Sequence, residues 1–196
     1  MKCRFGYVSN SSSSSFLVCC DKIDSFDWLK SDDEGYESFL FNMQHEDNKS
    51  DQKIRQFLFD EYMDVLYEYE HFLLYKEKSW FHEQNVDPLL RLVSICHKLH
   101  SDSKEIPELI KKGMKTVEQS LESEAECEDV LEELALKFAN ILLLEAKKHW
   151  LVISTFSYSD ECGDFGSHME HEFMYEIVHS EQESGGEFSI IDRNEH

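Results

Sequence analysis

The spacing of apolar residues changes at Trp150, and that change limits the fold more than any other feature. From Lys53 up to it, apolar side chains recur every three or four residues, the repeat that places them on one face of an α-helix. Ile54, Leu58, Tyr62 (with Glu61 beside it), Val65, Tyr69, Phe72 and Leu73 predict a helix over about 53–78, with Ser50 or Asp51 as its cap. Leu89, Leu92, Val93, Cys96 and Leu99 predict a shorter one, with Asp87 as N-cap and Pro88 at the first helical position. A third opens at Ser103, carries Pro107 in its first turn and runs to about residue 122. A fourth covers about 126–148, with Cys127, Val130, Leu131, Leu134, Phe138, Ile141 and Leu142 toward a core. Ala135, Ala139, Leu143 and Leu144 widen that stripe, so this helix is expected to be the most buried.

From Trp150 to Tyr158 the residues are β-branched and aromatic, which reads as a strand. Its four leading apolar residues predict burial on both faces and a central place in a sheet. Phe173, Tyr175 and Ile177 predict a second strand and 188–191 a third, with loops at 159–167 and 181–186 and a solvated tail at 194–196. At the other end of the chain, Phe5, Tyr7 and Val8 precede a run of serines and Phe16, Leu17 and Val18 follow it. The flanks read as strands and the run, opening with Asn10-Ser11, as a tight turn between them. The hydroxyls and amides of Ser11, Ser12 and Ser13 also have the chemistry of an anion-binding nest. Between 21 and 51 the pattern is weaker. A helical turn is expected at 24–29, a loop at 31–35, and a short helix or strand at 36–43. The fold class that follows is α+β. An antiparallel sheet from N-terminal strands and a C-terminal β-meander packs against a central group of about four helices. The helical middle spans about 51–148 and the sheet about 3–20 and 149–191, in one domain.

The segment Val8-Ser9-Asn10-Ser11-Ser12-Ser13-Ser14-Ser15-Phe16 resembles a motif near the N-terminus of many uncharacterised bacterial, prophage and phage proteins. The resemblance covers only this short part of the chain. It implies a bacterial or viral origin and a shared N-terminal β element, and it carries no catalytic residue.

With 14 Phe, 8 Tyr and 41% hydrophobic residues the chain has enough apolar surface for a core. No apolar run approaches the about 20 residues of a membrane span, and no signal-like segment opens the chain, so a cytoplasmic protein is expected. A net charge of -22 argues against nucleic acid as a ligand, since phosphate binding needs clustered Lys and Arg. Such a charge serves solubility in any case. Its sharper use is an acidic face for a basic protein, with mimicry of nucleic-acid phosphates as a special case. The densest acidic stretch runs from Glu118 to Glu133, and Glu122, Glu126, Asp129 and Glu133 are its candidate binding residues.

Six scattered Cys without a C-x-x-C pair read as reduced thiols. Adjacent Cys19 and Cys20 point to opposite faces of a strand, so at most one lies in a one-sided core. Cys96 and His100 are four apart on a predicted helix and so could form half of a metal site, although a core thiol and a surface histidine are the preferred account of them. Asp160, Glu161, Cys162, His168, Glu170 and His171 form the one place where several reactive types converge, a candidate for metal binding or acid–base chemistry. His168 and His171 would face opposite sides of a strand, and the surrounding Asp and Gly also suit an ordinary hairpin loop. No phosphate-binding loop, dinucleotide motif, zinc-protease motif or nucleophile elbow is present. The leading expectation is a non-enzymatic acidic protein that binds a protein partner and needs no cofactor. The alternatives are a small enzyme or metal-binding protein with a site near Asp160–His171, and a nucleic-acid mimic.

Overall fold

The computed structural model describes residues 13–22, 26, 33–75, 88–123, 126–159 and 187–195. In chain order these form β1 (Ser13–Cys20), α1 (Asp33–Gln44), α2 (Asp51–Tyr75), α3 (Pro88–Lys98), α4 (Glu105–Ser123), α5 (Glu128–His149), β2 (Val152–Ser159) and β3 (Phe188–Glu195). The α+β class holds: among the described residues, helices pack on an antiparallel sheet of three strands in the order β2-β1-β3. Among the described residues no helix is long and apolar enough to cross a membrane.

The helices number five among the described residues, because α1 precedes the expected helical middle. It takes in residues 33–35, which the sequence assigns to a loop, and it settles 36–43 as helix. The reason lies in its stripe: Tyr36, Phe39 and Met43 are buried at helical spacing, which extended chain would scatter over two faces. Of the turn expected at 24–29, only Phe26 is described, and it is buried.

The sheet corrects two expectations. Ser13, Ser14 and Ser15 belong to a strand and not to a turn, and that strand is the central one. Ser15 pairs in register with Ser157, and their hydroxyls lie 2.7 Å apart, so the polar half of β1 is hydrogen-bonded across the sheet. The apolar half of β1 is covered on both faces. Leu17 and Cys19 join the large core beneath the helices, while Phe16, Val18 and Cys20 join a second core with Phe26, Phe39, Met43 and Phe188. Both Cys19 and Cys20 are therefore buried; the limit of one applied to a sheet covered on one side only.

β2 pairs with β1 along one edge, and its other edge meets the connection between α1 and α2. The Thr155 amide donates to the Asn48 carbonyl at 2.9 Å, and the Ser154 hydroxyl donates to the Asn42 carbonyl at 3.2 Å. The Asn48 side chain donates back to Asn42 at 3.1 Å and fixes that connection. Among the described residues β2 pairs only with β1, so the apolar run at 150–153 is not central there: Trp150 is buried at the end of α5, and Leu151 is 85% exposed. The strand expected at 173–178 lies outside the described residues. β3 extends through Asn194 and Glu195, which pair with Ser14 and Ser13 and so are strand, not a solvated tail.

In the helical layer α2 and α5 run antiparallel. Lys147 bonds Asp51 at one end, and Tyr67 lies beside Glu128 at the other. Ser50 caps α2, accepting from the Lys53 amide at 3.3 Å. Tyr62 joins three helices: its ring lies 4.8 Å from that of Phe138, and its hydroxyl donates to the Leu109 carbonyl at 2.7 Å. The core stripe of α3 is Leu92, Ile95 and Leu99, so Val93, which the sequence places inward, is exposed. Val130 and Leu144 of α5 are likewise exposed, because α2 and α4 cover less than its full circumference.

Candidate functional site

Asp160, Glu161, Cys162, His168 and His171 lie outside the described residues, as do Ser11 and Ser12. Ser13 opens β1 in register with Ser159 and Glu195. The turn role expected for it does not hold.

Cys96 and His100 do not form the expected helical pair. The helix ends before His100, which has a positive φ of 53°. The Ser101 amide donates to the Cys96 carbonyl at 2.9 Å and the His100 amide to the His97 carbonyl at 3.0 Å. This is a Schellman ending with His100 in the position usually given to glycine. The left-handed residue takes the chain off the helical spiral, so spacing by four no longer puts the two side chains on one face. The His100 ring instead lies 5.4 Å from His149 and 5.1 Å from Trp150. Burial pushes the Cys96 thiol up to about 11, so it stays protonated at neutral pH and is a poor ligand. Among the described residues, no group of three or more His, Cys, Asp or Glu could hold a metal ion.

A buried ion pair is the feature that sequence reasoning missed. Glu61 is fully buried on α2, and both of its oxygens accept from Arg91 of α3, at 2.9 Å from Nε and 2.8 Å from a terminal nitrogen. The other terminal nitrogen of Arg91 reaches Glu68 at 3.2 Å. Burial disfavours the Arg91 charge, the Glu61 bonds favour it, and the balance raises its pKa. The signal was present, since Glu61 falls within the apolar stripe of α2. With both oxygens engaged by a guanidinium, this carboxylate holds two helices together and is not placed to act as an acid or base.

The acidic candidates are exposed. Glu122 lies on α4, Glu126 just before α5, and Asp129 and Glu133 on α5. Glu133 bonds Lys137 at 2.5 Å, and that bond holds its carboxyl below the usual range. Around this end of the bundle, Tyr69 donates to Glu118 at 2.7 Å, which brings the ends of α2 and α4 together. Tyr67 is 47% exposed, and the charges of Glu128 and Glu132 on α5 act on it. Partial burial and those two carboxylates push its phenol up. Carboxylates of α2 and α5 thus act on a half-exposed aromatic ring.

The thiols give a stability prediction. Burial, and then the charge of Asp21, push Cys20 up to about 12. In the unfolded chain this thiol ionises near about 8.5. Between those values the unfolded state has lost a proton that the native state keeps, so stability must fall as pH rises. The slope is about 1.4 kcal/mol per pH unit for this thiol, and nothing is lost below about pH 8. Cys96 and the buried Tyr62 phenol, also raised by burial, act in the same direction. Urea melts across the alkaline range, with reductant present, should show the decline, and Cys20→Val should flatten it.

Compared with protein-family models, with curated proteins and with solved structures, the chain matches none.

Proposed function

We propose that this chain is a non-enzymatic, acidic interaction protein of bacterial or phage origin, which binds a basic protein in the cytoplasm. The docking surface is the end of the bundle where α2, α4 and α5 carry their carboxylates. The observation behind this reading is the run of exposed acids on α4 and α5, together with the half-exposed ring of Tyr67, on which the charges of Glu70, Glu128 and Glu132 act. Solubility needs charge anywhere on a surface; an aromatic ring among the acids adds the apolar contact that docking requires. Each exposed ion pair is worth only about 0–1 kcal/mol, so several must form together. The charge acts mostly on encounter rate and on the choice of partner. A net charge of -22 repels nucleic acid, which makes a basic protein the fitting class.

Capture from bacterial lysate on the immobilised chain, with bound proteins identified by mass spectrometry, tests the reading. A basic partner retained at low salt and released at high salt is the expected result, because screening at about 0.1 M salt already acts over about 10 Å. Retention of nothing at either salt would contradict it.

A further inference from the structure

His100 and His149 come from the ends of two different helices and meet. His100 is the left-handed residue that closes α3, and His149 is the last residue of α5. Both are exposed, and their ring centres lie 5.4 Å apart. An imidazole nitrogen sits about 2.0–2.1 Å from a zinc ion and about 1.1 Å from its own ring centre, so two imidazoles on one tetrahedral ion have ring centres about 5 Å apart. The pair therefore stands at nearly the spacing that a shared ion needs.

The backbone holds both rings in place. Under His100 it is fixed by the hydrogen bonds of the Schellman ending, and the His100 ring packs on buried Trp150 at 5.1 Å. The Trp150 amide donates in turn to the Ala146 carbonyl at 2.8 Å, which ties it to the last turn of α5. The surrounding charge favours a cation. Two helix C-termini end here, and each carries partial negative charge. The lysines of those last turns are engaged elsewhere: Lys98 with the Ile190 carbonyl, Lys147 with Asp51 and Lys148 with Glu145.

We propose that His100 and His149 chelate a divalent transition-metal ion of the zinc class, through one nitrogen of each ring. Imidazoles suit zinc, nickel or copper, whereas magnesium and calcium prefer oxygen. Glu145, one turn before His149, is held by Lys148 at 2.5 Å and supplies no third ligand. The remaining positions on the ion go to water or to a donor from a second molecule. This inference stands apart from the acidic surface and does not depend on it.

The test is a zinc titration of the full chain, kept reduced, followed by NMR of isotope-labelled histidine side chains. His100→Asn and His149→Gln assign the two signals. Asparagine tolerates the left-handed backbone at position 100, both positions are exposed, and unchanged thermal melts establish that the variants are folded. The readout is by residue, so zinc taken up elsewhere on the chain is not counted. The His100 and His149 signals should move together with one midpoint, and magnesium should move neither. Either substitution should weaken the response of the remaining histidine at least about tenfold, the least that loss of even an outer-shell partner of a metal ligand commonly costs. Separate midpoints, a His149 response unchanged by His100→Asn, or no response of either signal would overturn the proposal.

Discussion

Glu61→Ala is expected to destabilise the protein by about 2–4 kcal/mol, because it removes the fully buried carboxylate that takes two bonds from the half-buried Arg91 guanidinium. Both bonds from Arg91 end on this carboxylate, at 2.9 and 2.8 Å, and the exposed Glu68 carboxylate, at 3.2 Å from the same guanidinium, replaces neither. Arg91→Ala should cost a similar amount for the opposite reason, taking the guanidinium away from a fully buried carboxylate. Changing both together, Glu61→Leu with Arg91→Met, should recover most of the loss, since a buried pair replaced by apolar groups of like volume is often neutral. Urea unfolding of the three variants measures this. A Glu61→Ala loss below about 1 kcal/mol would mean that the pair is hydrated and contributes little.

The second large effect is expected at Gly113. A β-carbon there would lie 2.4 Å from the Tyr62 hydroxyl oxygen and 2.9 Å from a Leu66 methyl carbon. Alanine is the better helix former by about 1 kcal/mol, so an open site would gain stability. Here Tyr62 cannot withdraw: its ring packs on Phe138 and its hydroxyl is bonded to Leu109. Gly113→Ala should therefore cost about 1–3 kcal/mol net, the usual range for overpacking. Tyr62→Phe, which removes the crowding oxygen, should cost about 1 kcal/mol alone and reduce the damage of Gly113→Ala when the two are combined. An additive double variant would show that the strain lies elsewhere.

These two sites show what the sequence makes legible and what it does not. The helices were readable because their signal is local: Ile54, Leu58, Tyr62 and Val65 are all buried where their spacing places them. On α3 the expected Leu92 and Leu99 are buried, while Val93 is exposed, because Leu92 and Val93 are equally apolar and only the neighbours of α3 choose between them. Glu61 stood out as an acid within an apolar stripe, yet its partner lies 30 residues away, beyond any local pattern. The central place of β1 was hidden for a related reason. Ser13 to Ser15 carry no strand signal of their own, and they are strand because β2 and β3, more than a hundred residues later, pair with them on both sides. The failed Cys96–His100 pair depended on a single left-handed residue that an i, i+4 count does not register. The acidic surface was legible as composition; its convergence around Tyr67 required the antiparallel packing of α2 and α5.

The central claim is that these carboxylates select a basic partner. The most direct measurement is the salt dependence of binding to the protein captured from lysate, made with the native chain and with a fourfold neutralised variant. That variant carries Glu122→Gln, Glu126→Gln, Asp129→Asn and Glu133→Gln, all at exposed positions. The predicted result is binding that weakens steeply with salt in the native chain and is at least about tenfold weaker, with a flatter salt dependence, in the variant. Equal affinity and equal salt dependence in the two chains would contradict it.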